Sequence, residues 1–182
     1  MAKNEIHLFA DEKSPLYWAN LTAQEKIIIN QGGTSSGKTE AIIRVLFTIA
    51  IIRRNYIITV ISNTVTKLKE DALRIAKSVA RIPKVALFVT DYNSTDRVFT
   101  FTTNSLIEFK SFEDEEQAKG GKRHILFINE ATRIGYGIFY QADLRTSVRT
   151  FLDYNPTGEF WCHDKVINNP LEFISIKIIR SW

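Results

Sequence analysis

Cysteine is nearly absent from this sequence: Cys162 is the only one in 182 residues. A lone thiol excludes an internal disulfide and any cysteine-built metal cluster, and it suits a reducing compartment. Long hydrophobic runs are lacking too. The most apolar stretch, residues 41–52, is interrupted by Arg44 and ends at Arg53-Arg54, too short to span a bilayer. Met1 to Ala10 holds no apolar core of signal-peptide length. These absences set the expectation of a cytoplasmic protein with no membrane partner. His7, His124 and His163 show no metal-ligand spacing, and His163-Asp164 reads as a surface pair. No repeat, low-complexity tract or Pro/Gly-rich linker divides the chain, so residues 1–182 read as one domain. Charge is not extreme either. A net +4 permits a nucleic-acid partner without demanding one.

What is present is a soluble globular composition, 45% hydrophobic and 24% charged, and one stretch that organises the rest. Gly32-Gly33-Thr34-Ser35-Ser36-Gly37-Lys38-Thr39 fits the phosphate-loop pattern GxxxxGK[ST] without a mismatch. Before it, Lys26 to Asn30 is a short apolar run that predicts a buried strand. After it, residues 41–52 lack Gly and Pro and predict a helix. In that context the glycines turn backbone N–H groups toward phosphates, and the helix N-terminus adds its positive end. Lys38 would reach the β- and γ-phosphates of ATP, and the Thr39 hydroxyl would sit on Mg²⁺.

The remaining chain alternates strand and helix signals. Residues 56–62 are β-branched and predict a central parallel strand. Val65, Leu68, Leu73, Ile75, Ala76 and Val79 recur at helical spacing, interleaved with basic residues that read as a solvated face ahead of a DNA-contacting one, and the helix ends before Pro83. Residues 85–89 are a further short apolar run. Residues 97–101 and 105–109 predict a β-hairpin around Thr102-Thr103-Asn104. Residues 112–117 read as a loop or short helix, and 119–123 as a basic turn. Strands are expected at 125–130, 148–154 and 173–179, with a loop and helix over 132–144. This pattern predicts an α/β protein: a three-layer P-loop NTPase fold with a mostly parallel central sheet, helices on both faces and an added β-hairpin. In residues 11–24, Tyr17 and Trp18 read as packing on the core ahead of stacking on adenine. Gln31 is a weaker candidate for the adenine edge.

Hydrolysis needs a carboxylate near the metal and a group to position water, both from the carboxyl end of a strand beside the loop. Residues 125–130 have that form. Glu130 is the natural base, and Asn129 occupies the usual metal-side aspartate position with an uncharged amide. Asp153-Tyr154-Asn155-Pro156 ends another strand and brings polar groups to the same sheet edge. There Asn155 is placed to sense the γ-phosphate, although Asn-Pro is also a common turn dipeptide.

Taken in order, Gly32 to Thr39, Ile125 to Ala131 and Leu152 to Pro156 resemble the ATPase domain of the large terminase subunit of tailed bacteriophages. The resemblance runs from about Gln31 to the C-terminus and includes the hairpin ending in residues 106–109. It implies a motor that packages double-stranded DNA in the host cytoplasm. It implies a homo-oligomeric ring, with the phage portal and the small terminase subunit as partners. It implies that Lys38 and Thr39 serve nucleotide and metal, that Glu130 is the catalytic glutamate, and that Asn155 couples hydrolysis to movement. Many members of that family carry an arginine inside the loop, where Thr34 stands here. An arginine or lysine from a neighbouring subunit is also common, with Lys119, Lys122, Arg123, Arg133 and Arg145 as candidates. Nothing after Trp161 supplies the clustered acidic ligands of the family's nuclease, so a C-terminal nuclease domain is expected to be absent and DNA cleavage is not expected of these residues. Two other readings stay open: a phosphate-loop kinase of small molecules, whose arginine-rich lid is not evident, and a non-catalytic nucleotide-binding scaffold, which Asn129 favours and Glu130 opposes.

Overall fold

A computed structural model of the chain describes residues 14–168 and 175–181. His7, the first ten residues and Phe173 lie outside them. Helix α1 (Pro15–Leu21) starts at Ser14, whose hydroxyl accepts the Tyr17 N–H, with Pro15 at the first helical position. Strand β1 (Ile27–Gly32) runs into the phosphate loop and helix α2 (Lys38–Ile52). Strand β2 (Ile57–Ser62) is followed by α3 (Val65–Glu70), α4 (Ala72–Ala80) and the short α5 (Pro83–Ala86). Next come β3 (Val89–Asn93), β4 (Val98–Phe101) and β5 (Leu106–Ser111). Helix α6 (Glu115–Ala118) precedes β6 (Arg123–Ile128), a helical turn at Ala131–Arg133, α7 (Tyr136–Asp143) and β7 (Thr146–Tyr154). A widened helical turn at Cys162–Ile167 leads toward β8 (Ile176–Ser181).

Among the described residues the strands form one sheet in the order β3-β4-β5-β2-β6-β7-β1-β8. Pairing is parallel from β5 through β8 and antiparallel from β5 to β4 to β3. The period of two along each central strand builds two cores. Ile28, Ile58, Val60, Ile125, Phe127 and Phe151 face one side, under α1, α2 and α4. Ile27, Ile29, Ile61, Leu126, Ile128 and Leu152 face the other, with Ile138, Phe139 and Ala142 of α7. Because both faces are covered, these strands are apolar throughout, as a parallel sheet requires.

Two expectations are refined. The amphipathic helix over residues 65–79 is interrupted at Asp71, where the backbone (φ −115, ψ −95) leaves the helical region. Leu68, Leu73, Ala76 and Val79 are buried on both sides of the break, so the apolar stripe survives. Lys67, Lys69, Arg74 and Lys77 are exposed. The hairpin is a three-stranded meander: Val85 is buried in α5, whereas Val89 opens β3, which pairs with β4.

Close approach of β1 and β8 explains the first loop glycine. A Cβ on Gly32 would lie 1.9 Å from the Ser181 carbonyl oxygen, whereas one on Gly33 meets nothing within 4 Å. Gly32→Ala should therefore lower unfolding stability by about 1–3 kcal/mol, the usual cost of overpacking, while Gly33→Ala should change it little. Urea unfolding of the two variants beside the wild type measures this directly.

Candidate active site

The parallel sheet delivers three strand ends to one cleft of about 540 Å³, within the range of small-ligand sites. Its lining includes Thr34 to Glu40, Glu130, Arg133, Asp153 and Asn155. Gly37 caps α2 in the left-handed region (φ 80), a conformation that a side chain at this position would strain. The turn it makes sends Lys38 and Thr39 into the cleft.

Lys38 is buried, and its Nζ donates toward Gly32 O (2.9 Å), Gly33 O (2.7 Å), Ser36 Oγ (3.1 Å) and Asn155 Oδ1 (3.0 Å). Three N–H bonds serve four acceptors, so the ammonium is held by its own loop and by the end of β7. Burial lowers its pKa, opposed by the charge of Asp153. Asn155 also donates from Nδ2 to Thr34 Oγ1 (3.3 Å), so it touches the loop at two points. β8 adds a third contact, since the Ser181 hydroxyl donates to Ser36 Oγ (3.0 Å).

Thr39 Oγ1 donates to Asp153 Oδ2 at 2.6 Å. The other oxygen of Asp153 accepts the Glu130 N–H (2.7 Å) and Asn129 Nδ2 (3.3 Å). Asp153 is fully buried, and burial outweighs these hydrogen bonds, pushing its carboxyl up to about 6. Asn129 is 1% exposed, and its Oδ1 makes no hydrogen bond among the described residues. Glu130 takes a left-handed backbone (φ 55), a conformation that costs a non-glycine residue on the order of 1 kcal/mol. Arg133, three residues on, places Nε 3.0 Å from Glu130 Oε2, an ion pair whose N–H points off the oxygen, leaving that atom without a hydrogen bond.

The structure thus brings Lys38, Thr39, Asn129, Glu130 and Asn155 together. It also brings in Asp153, which the sequence presents only as part of a strand-end motif. Its signal there is its setting: an aspartate flanked by apolar Phe151, Leu152 and Tyr154 inside a buried strand needs a partner. Arg74 and Asp71, at the break between α3 and α4, line the cleft as well and are not distinguished by the sequence. Of the basic candidates, only Arg133 is there. Arg123 is 3% exposed, its guanidinium tied to the carbonyls of Ala142, Gly120 and Gly121, so it is a structural residue. Lys122 and Arg145 line a separate hollow at the amino ends of β6 and β7, and Lys119 pairs with Glu116. Tyr17 is buried, with its hydroxyl against that of Thr48 on α2 (2.9 Å). Trp18 packs on the same core, and neither these aromatics nor Gln31 lines the cleft. His163 is half-buried against Tyr154 and Phe160 rather than on the surface, while Asp164 is exposed. The thiol of Cys162 is buried and pushed up to about 12, which leaves it unreactive. No helix among the described residues is long and apolar enough to cross a membrane.

The raised carboxyl of Asp153 makes folding stability depend on pH. The folded state holds this proton to about pH 6, whereas an unfolded aspartate releases it near 3.8. The stabilising effect of protonation is complete below 3.8 and is lost as pH rises through about 6, at a cost of about 3 kcal/mol for the buried charge. Asp153→Asn should therefore gain stability over the wild type between about pH 4 and about pH 7.5 by roughly that amount. Urea unfolding of both proteins at the two pH values, with chelator present, checks it. A difference that does not move with pH would contradict it.

No family model matches the sequence, and no curated protein sequence does. Solved structures do match its fold. The large terminase of a thermophilic bacteriophage superimposes with a TM-score of 0.74 at 17% identity, over 92% of this chain and 44% of that one. The ATPase domain of the Thermus phage P74-26 large terminase gives 0.74 at 14% identity, over 98% of this chain and 84% of that one. The large terminase of bacteriophage HK97 gives 0.63 at 13% identity, over 90% and 36%. The chain therefore spans less than half the length of the first and third of these proteins. At these identities the likeness carries the fold, and the fold is that of the large terminase ATPase domain.

Proposed function

We propose that this chain is the ATP-hydrolysing motor domain of a phage large terminase and that it drives double-stranded DNA into a procapsid. One observation carries the reading: Lys38 and Thr39 of α2, Glu130 after β6 and Asn155 after β7 meet in a single cleft, with Lys38 bonded to Asn155 and Thr39 to Asp153. A passive scaffold has no use for a glutamate at that spot, and among the described residues the cleft presents only Arg74 and Arg133 toward the arginine-rich lid that a small-molecule kinase needs. The large terminase of the thermophilic bacteriophage has been crystallised with ADP and with ATP-γ-S, which supports ATP as the nucleotide.

Lys38 exchanges the carbonyls of Gly32 and Gly33 for β- and γ-phosphate oxygens. The residues fit Mg²⁺: the Thr39 hydroxyl and the Asp153 carboxylate are oxygen donors lining the cleft, and behind them the amide of Asn129 bonds to Asp153. This ion commonly keeps several waters and needs only one or two protein carboxylates. When bound it supplies positive charge to the phosphate oxygens. Glu130 orients the attacking water and accepts its proton, after its carboxylate leaves Arg133. Arg133 and Arg74 then provide the charge that a loop arginine would supply at Thr34. Asn155, bonded to both Lys38 and Thr34, loses or gains partners as the γ-phosphate comes and goes, and β7 passes the change on. DNA contact is directed at phosphates and tolerant of sequence, since a packaging motor moves any sequence. A homo-oligomeric ring, the portal and the small terminase subunit belong to the same proposal.

The test is Mg-ATP phosphate release across protein concentrations, with and without linear duplex DNA. Turnover should rise more than linearly with concentration or rise with DNA. Glu130→Gln should bind ATP and lose on the order of 10²–10⁴-fold in turnover, and Lys38→Ala should lose nucleotide binding. Turnover linear in concentration and indifferent to DNA would point to a kinase-type site complete in each chain. Nucleotide binding unaltered by Glu130→Gln, with no turnover in either protein under any condition, would favour the scaffold.

A further inference from the structure

β6 ends in Ile128, Asn129 and Glu130, so the position beside Thr39 that ordinarily carries the metal-side aspartate holds a neutral amide. The carboxylate stands one strand away. In the parallel register Ile128 lies beside Leu152, which brings Asn129 alongside Asp153. Asp153 reaches Thr39 at 2.6 Å and Asn129 at 3.3 Å. Its environment is not that of a structural aspartate. It is 2% exposed, and among the described residues no cationic side chain lies within ion-pair distance of it. The Lys38 ammonium, which shares the cleft with it, bonds to the loop and Asn155 instead. A buried carboxylate with hydrogen bonds but no counter-charge is costly to keep, unless a cation is its working partner. The neighbouring Asn129 presents its Nδ2 to Asp153, and its buried Oδ1 makes no hydrogen bond among the described residues.

Resting on the ATPase reading of this cleft, we propose that the metal-side charge is carried by β7 rather than β6: Asp153 supplies the carboxylate that faces the nucleotide's divalent cation beside Thr39, and Asn129 is its neutral amide partner. Both positions are filled by side chains of the same shape and bonded to each other, so the charge can sit on either strand without altering the packing. The strand that carries the nucleotide-sensing Asn155 then also carries the cation's carboxylate, two residues apart, and the glutamate's backbone N–H is anchored on that same carboxylate.

The experiment is calorimetric titration with ADP in excess Mg²⁺ and in chelator, paired with Mn²⁺ titration followed by electron paramagnetic resonance in the presence of ADP. It uses the wild type, Asp153→Asn and the exchanged variant Asn129→Asp/Asp153→Asn. The proposal expects Asp153→Asn to lose the magnesium-dependent gain in ADP affinity and to weaken Mn²⁺ binding by about 10–100-fold, with ADP affinity in chelator falling much less than ADP affinity in Mg²⁺. The exchanged variant should recover both. An Asp153→Asn protein that keeps the magnesium gain overturns the inference alone, since the nucleotide site is then intact without that charge. Equal weakening with and without Mg²⁺ also overturns it, by showing a role confined to holding the loop. A folded exchanged variant that stays blind to Mg²⁺ overturns the interchange of the two positions. A wild type that binds no ADP in either condition removes the ATPase reading itself.

Discussion

The hydrogen bond from Thr39 to Asp153 joins residues 114 positions apart, and the whole site depends on it. It ties the first turn of α2 to the end of β7, while the same carboxylate holds the backbone of Glu130 at the end of β6. The start of one helix and the ends of two strands are thereby locked into one geometry by a single buried carboxyl group. The bond between Lys38 and Asn155 repeats the link from α2 to the end of β7 on the other side of the loop. Pull either strand out of register and both links fail together, because parallel strands place their carboxyl ends at one edge only while the ladder stays aligned.

The apolar sheet is what makes such an arrangement sustainable. Central strands buried on both faces, with residues such as Ile28, Phe127 and Phe151 fully enclosed, hold their ends rigid. Against that support the site keeps several unfavourable features: a desolvated lysine, a desolvated aspartate, a glutamate in a left-handed backbone and an amide oxygen without a partner. Each is destabilising alone. Together they are what the proposed nucleotide and its cation would offset. The flanking meander of β3, β4 and β5 takes no part in the cleft. It extends the sheet by antiparallel pairing and covers α2 through the ring contacts of Phe47 with Phe99 and Phe101.

Much of the fold could be read from residue order because parallel strands buried on two faces are short apolar runs with no competing interpretation once a phosphate loop precedes a helix. Residues 125–130 and 56–62 are examples. The break at Asp71 was hidden, since the apolar stripe continues across it and periodicity registers the stripe rather than the backbone. β3 was hidden for a different reason: residues 89–93 are half or fully exposed on an edge, where alternation fades. Arg74 could not be told from its basic neighbours by spacing, because all of them are exposed on helices and only packing between distant segments makes Arg74 line the cleft.

Local chemistry settled whatever involves neighbours in the chain: the turn at Gly37, the lysine and hydroxyl that follow it, and the strand ends bearing Glu130 and Asn155. Bond geometry and hydrophobic period act over a few residues, so they are written in order along the chain. Which strand lies beside which is decided between segments far apart in the chain, by burial and by the pairing of the sheet. That is why the partner of Thr39 is Asp153 rather than Asn129, why Arg123 is a buried prop and not a finger, and why Tyr17 belongs to the core. Those assignments rest on distances between distant segments, and only the packed sheet determines them.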